Sequence, residues 1–272
     1  MPTTKFLFWN INRKPIANAV AELATIHRTD IVILAECTID GAHLLAELNA
    51  APGSGYRLST GISKGITILT RFSREFLRPM HESDHVSISR LALPARSELL
   101  LAAVHLPSKL YWSGESQGFE CAELARRIAH DEDRAGHERT VLVGDMNMNP
   151  FEPGIVSSVG LNAVTSRRIA GRVTRTVQGR AYRLFYNPMW SHLGDVRGDT
   201  AGSYFYDTAE HLNYFWNVFD QVLLRPELAR RFDSNQLSII KFVGERSLVR
   251  GDGRPDATLY SDHLPIVFEL DF

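Results

Sequence analysis

TVLVGDMN, residues 140–147, is a short apolar run that stops at a glycine and is followed at once by Asp145 and Asn147. Four apolar or β-branched residues bounded by a turn signal predict a buried strand over Thr140–Val143. A carboxylate and an amide then stand at its end, where burial costs free energy unless the charge is paired or bound. The same punctuation recurs along the chain. FLFW ends in Asn10, DIVILA (30–35) in Glu36, LLLAAV in His105 and WNVF in Asp220, and Ser261-Asp262-His263 precedes the last apolar stretch. Taken singly, each has an ordinary reading: Asn10 a turn, Glu36 a solvated or capping residue, His105 a satisfied core histidine, Asp145 a turn or cap, Asp220 an arginine partner, Asp262-His263 a turn. Six such ends in one chain suggest an acidic pocket with two imidazoles along one sheet edge, which suits a hard divalent cation and a phosphate.

Around these ends the chain alternates strand and helix. Strands are predicted at Lys5–Ile11, Asp30–Ala35, Tyr56–Thr60, Gly65–Arg71, Glu75–Met80, His85–Leu93, Glu98–His105, Val218–Leu224, Gln236–Val243 and Ile266–Leu270. Helical spacing marks Ile16–His27, with Pro15 at its start, then Asp40–Asn49 and the amphipathic Glu115–Arg134. Many strands with few helices predict two sheets packed face to face with helices outside. There is no repeat, low-complexity tract or linker, so residues 1–272 read as a single domain.

Composition narrows the class. The chain is 44% apolar and 22% charged with formal net charge −1, so no global positive field draws in polyanions. Its two cysteines, Cys37 and Cys121, make neither a disulfide framework nor a zinc motif, and they read as small buried apolar residues. The start at Met1-Pro2-Thr3 lacks the pattern of a leader, and no apolar run reaches membrane length. A reducing, cytoplasmic setting is the expectation.

The ordered set W-N-I-N (9–12), I-L-A-E (33–36), V-H-L-P (104–107), V-G-D-M-N (143–147), F-D-Q-V-L (219–223) and S-D-H-L-P (261–265) resembles the endonuclease/exonuclease/phosphatase superfamily, the deoxyribonuclease-I-like fold. The resemblance implies a four-layer α/β sandwich: two packed mixed β-sheets flanked by helices, with the active site at one sheet edge. It implies a divalent-metal-dependent phosphodiesterase in which Glu36 is the main metal carboxylate, with Asn10 beside it and Asp262 in support. Magnesium suits such an oxygen-rich site, with manganese able to substitute. Asp145 would be the general base on the attacking water, Asn147 and His105 would hydrogen-bond phosphate, and His263, oriented by Asp220, would stabilise developing charge. Asn12 departs from the pattern, standing where some nuclease members carry an acidic residue, and this counts against a second metal there.

Substrate must be read from the loops. Residues 155–194 lack Asp and Glu but carry Arg167, Arg168, Arg172, Arg175, Arg180 and Arg183, either a phosphate-contacting patch or a solvated basic face. Lys109, Tyr111 and Trp112 follow His105 and suit a phosphate contact with base stacking, or else pack over the core. The aromatic stretches Tyr204–Tyr206 and Tyr214–Trp216 read as core packing. The resulting expectation is a nuclease acting on DNA or RNA, with nucleic acid as its partner, no membrane and no obligate protein partner. The alternatives are a hydrolase of an inositol phosphate, phospholipid or other small phosphate ester, and a non-catalytic binding module.

Overall fold

The computed structural model describes residues 3–61, 63–196 and 200–272; Met1 and Pro2, with which the leader reading began, lie outside them. The N-terminal half runs β1 (Thr4–Asn10), α1 (Ala17–Ile26), β2 (Ile31–Ala35), α2 (Gly41–Leu48), β3 (Arg57–Leu58), β4 (Ile66–Thr70), β5 (Leu77–Glu82), β6 (Val86–Leu91), β7 (Leu99–His105), α3 (Gly114–Ala135) and β8 (Thr140–Asp145). There follow α4 (Pro153–Val156), β9 (Ala163–Val164), α5 (Arg167–Ala170), β10 (Thr174–Val177), β11 (Arg180–Arg183), β12 (Phe185–Tyr186), β13 (Tyr204–Phe205) and β14 (Trp216–Asn217). The chain closes with β15 (Asp220–Leu224), α6 (Pro226–Arg231), β16 (Leu237–Ile239), β17 (Phe242–Val243), β18 (Arg246–Ser247) and β19 (Ile266–Leu270).

Two mixed sheets form the centre. One is six-stranded in the order β16-β19-β1-β2-β4-β3, and the other is seven-stranded in the order β5-β6-β7-β8-β15-β12-β9. Strand alternation explains their packing. On β7, β8 and β15, the residues Leu99, Leu101, Ala103, Val141, Val143, Val222 and Leu224 join the core shared with the six-stranded sheet. Their neighbours Ala102, Val104, Leu142 and Leu223 join a second core with Cys121, Leu124 and Ile128 of α3. Strands buried on both faces explain the unbroken apolar runs of the sequence. Helix α3 is capped as its ends predict, with the Ser113 hydroxyl accepting from the Ser116 amide and Gly136 turning left-handed at φ 74°. The expected four-layer arrangement is the one observed, with the helices outside the two sheets.

Three predicted strands differ, Tyr56–Thr60 shrinking to the two residues of β3. Gln236–Val243 is broken after Ile239, because the Ile240 amide turns to the Pro265 carbonyl and Phe242–Val243 pairs instead with β18. Residues 74–76 form a 3₁₀ turn before β5. Among the described residues, no helix is long and apolar enough to cross a membrane.

Candidate active site

The register of the seven-stranded sheet assembles half of the site: His105 pairs with Asp145, and Asp145 with Asp220. Gly144 makes this possible. A Cβ there would stand inside the Val104 carbonyl, so only glycine lets β7 and β8 close up just before their functional residues. The six-stranded sheet supplies the other half. Asn10 ends β1, Glu36 follows β2, and the segment before β19 is tied across by the Ser261 hydroxyl on the Asn10 carbonyl (2.7 Å) and the Trp9 indole on the His263 carbonyl (2.9 Å).

The side chains converge on Asp145, which is only 1% exposed. Its Oδ2 accepts from Asn10 Nδ2 at 3.0 Å, while His263 Nε2 stands at 3.7 Å and His105 Nε2 at 3.8 Å, too far for full hydrogen bonds. Its Oδ1 accepts from the Asn147 amide at 2.8 Å. Asn147 is fixed by its Nδ2 on the Leu106 carbonyl, also at 2.8 Å. Glu36 lies on the solvent side, its Oε1 3.5 Å from His105 Nε2 and 3.4 Å from Asn10 Nδ2. Arg13 approaches its other oxygen at 3.4 Å. Asn12, Glu36 and Asn147 all have left-handed backbones (φ 45°, 50° and 49°), a conformation that costs about 1–2 kcal/mol outside glycine. The loops that aim the site thus carry some of the chain's backbone strain.

His263 Nδ1 lies 2.9 Å from Asp220 Oδ2, and Asp220 is fully buried. Burial alone would lower the histidine's pKa, but Asp220, then Asp145 and Asp262, raise it to about 10. Burial likewise pushes the Asp220 carboxyl up while the imidazole pulls it down. The carboxylates on either side of the ring favour the protonated form of His263. Beside it, the Tyr204 ring lies 4.5 Å away, and burial, with the acidic neighbours, drives its phenol pKa upward.

Ligand chemistry divides these groups. Asp145, Asp220 and His263 each offer one potential ligand atom, all within 4.8 Å of one another. A protonated ring has no lone pair, so this set could close on a cation only if His263 gave up its proton. The Glu36 oxygens instead carry only long contacts and are partly open to solvent, while Asn10 Oδ1 takes the Asn12 amide at 3.0 Å. Such donors fit a magnesium-like ion that keeps several waters. Asp262 Oδ1 is fixed by Asn12, whose Nδ2 donates to it at 2.9 Å. The residue that breaks the expected pattern therefore has a job, and the sequence carried no sign of it. Ser261, Arg13 and Tyr204 were likewise not foreseen.

The expected substrate residues scatter. Lys109 lies at the mouth, paired with Glu152, while Tyr111 (86% exposed) and the partly exposed Trp112 stand on the loop above it. Arg167 is not brought to the cluster. It lies over the Tyr186 ring and donates to Ser234, and Tyr186 pairs with Leu224, the length of β15 (roughly 13 Å) from Asp220. Arg168 and Arg172 are exposed beside it on the chain. Arg183 is committed to Glu132, Asp133 and Glu138. The Tyr204–Tyr206 and Tyr214–Trp216 stretches are not core as expected, since Tyr206, Tyr214 and Phe215 are each more than two-fifths exposed.

A sequence model described as "Endonuclease/Exonuclease/phosphatase family" matches residues 7–263. No curated protein sequence matches the chain. Among solved structures, D. rerio TDP2 complexed with single strand DNA product is similar at 16% identity and TM-score 0.55, each chain covered in full (100%). The endonuclease domain of TRAS1, a telomere-specific non-LTR retrotransposon, is similar at 14% identity and TM-score 0.52, with 99% of this chain and 98% of that one covered. The human nocturnin catalytic domain with bound sulfate is similar at 15% identity and TM-score 0.54, covering 100% and 95%. At these identities the likeness is one of fold.

Proposed function

The chain belongs to the endonuclease/exonuclease/phosphatase family, and from that premise we propose that it is a divalent-metal-dependent phosphodiesterase, a nuclease acting as a single domain on the DNA or RNA backbone. The observation that carries this reading is the environment of Asp145: a buried carboxylate whose oxygens take one amide donor each, with two imidazoles just beyond bonding distance of Oδ2. That geometry sets a group that can take a proton beside groups that can neutralise an anion, with hydrogen-bonding capacity left unused on both.

Glu36 and Asn10, supported by Asp262, would hold a magnesium or manganese ion. Such an ion supplies Lewis-acid neutralisation of phosphate charge when bound. Asp145 orients a water and accepts its proton. His263 faces the phosphate as imidazolium, and Asp220 holds it in that form. His105 and Asn147 position the phosphate oxygens. Lys109, Tyr111 and Trp112 meet the strand at the mouth of the site. Arg167, packed on Tyr186, takes no part, and exposed Arg168 and Arg172 contact backbone only if the strand extends past the site's edge. The single strand DNA product of the D. rerio relative points the same way.

The test is cleavage of plasmid DNA, single-stranded DNA and RNA in magnesium, manganese or chelator, beside His263→Ala. Metal-dependent cutting that the variant lacks establishes a nuclease. No cutting of any polymer moves the substrate to a small phosphate ester.

A further inference from the structure

A cavity of about 320 Å³ opens beside His263, between the 108–110 loop and the loop joining β13 to β14, with Asn147 and Tyr204 shared between it and the site. Its wall is aromatic. The Tyr204 ring lies 4.5 Å from His263, 5.2 Å from Phe219 and 6.5 Å from Tyr206, near-parallel (21° and 11°) to the last two. The far wall is preformed. Asn213 bonds Asp207, the Thr208 carbonyl and the Phe215 amide, and Tyr214 packs edge-on to Phe151 at 5.3 Å.

Charge defines what can enter. Lys109, the cation lining the cavity, is already paired with Glu152, and Glu210 adds a negative charge. A second phosphate is repelled there, which speaks against a polyphosphorylated small substrate. The amide of Asn213 is spent on the loop itself and that of Asn217 on Asn149 and the Phe215 carbonyl, so the cavity offers flat rings more than hydrogen-bond readout.

Resting on the nuclease reading above, we propose that this cavity binds one unpaired nucleobase next to the scissile phosphate, by stacking on the Tyr204–Tyr206 wall. The substrate is then a single strand or an unpaired end, and base identity matters little because every base has a π-face. A paired base cannot enter without leaving its duplex.

The test uses three chains of one length: oligothymidylate, the same backbone with tetrahydrofuran sugars and no bases, and oligothymidylate annealed to oligoadenylate. Cleavage is measured in magnesium, and binding by anisotropy in chelator, for the unaltered protein, Tyr206→Ala and Tyr206→Phe. The expected result is about tenfold or greater preference in kcat/KM for the base-bearing single strand over both others. Tyr206→Ala should erase most of it without changing the baseless rate, and Tyr206→Phe should keep it. Equal rates with and without bases, equal cutting of the duplex, or a preference that Tyr206→Ala leaves intact would overturn the pocket and leave the nuclease reading standing. If nothing is cut but Tyr206→Ala removes base-dependent binding in chelator, the pocket stands and the reaction assignment falls. If binding shows no base dependence either, both fall.

Discussion

Strands β8 and β15 bury charge at both ends, and the two ends are built differently. At one end stand Asp145 and Asp220; at the other, Thr140 opens β8 and Arg225 follows β15. At the Thr140 end, Glu132 is fully buried and each of its oxygens takes two donors. Oε1 accepts from Arg225 Nε (2.8 Å) and Thr140 Oγ1 (2.6 Å), and Oε2 from Arg225 Nη2 (3.2 Å) and Arg183 Nη1 (3.1 Å). Arg225 also lies 3.8 Å over the Phe185 ring. At the Asp145 end, Oδ2 has one donor at 3.0 Å and two imidazoles held off beyond 3.5 Å. Burial does not separate the two ends, but bonding does. The saturated end has nothing left to offer a ligand, whereas the unsaturated end keeps its capacity in reserve.

The widest separation should come from Asp145→Asn. Removing the base is expected to lower kcat by roughly 10³-fold or more with little change in unfolding midpoint, and near-normal turnover would remove Asp145 from that role. Glu132→Ala should do the reverse. It strands Arg225 and should cost about 3–5 kcal/mol in urea unfolding while kcat stays within a few-fold. A loss under 1 kcal/mol would mean the far-end network is not what holds it.

Asp220→Asn sharpens the comparison through pH. His263 is raised from 6.5 to about 10, so its charged form stabilises the fold fully below pH 6.5 and that contribution is lost as pH rises through about 10. Activity that needs the imidazolium should fall along the same alkaline limb, and Asp220→Asn should move the limb toward neutral with a several-fold lower plateau. A limb that stays in place would mean another group sets it. The smallest effect is expected from Arg13→Ala, whose exposed side chain touches Glu36 at 3.4 Å. Stability should change by under about 1 kcal/mol and metal affinity by no more than a few-fold, read by magnesium titration.

The saturated end was invisible in the sequence, while the reserved end was legible, and the reason is chain locality. Asp145, Glu36 and His105 each terminate an apolar run, so strand periodicity alone places them at sheet ends; Asp220 falls inside the predicted strand Val218–Leu224 and instead opens β15. The Glu132 network joins residues 132, 140, 183 and 225, and no local pattern reveals which acid an arginine will meet. The same blindness made Arg183 part of a basic patch when the acidic end of α3 neutralises it. Tyr206 and Tyr214 escape the core that their sequence context suggests, because aromatic residues next to a strand pattern look alike whether they face inward or line a loop.

Gly144 acts as a gauge block between two parts that must work together. Any side chain there would wedge β7 from β8 one residue before His105 and Asp145 face each other. The spacing between the two groups is therefore not adjustable by small steps at that position. The sequence can keep an empty place and the working separation, or fill it and lose both.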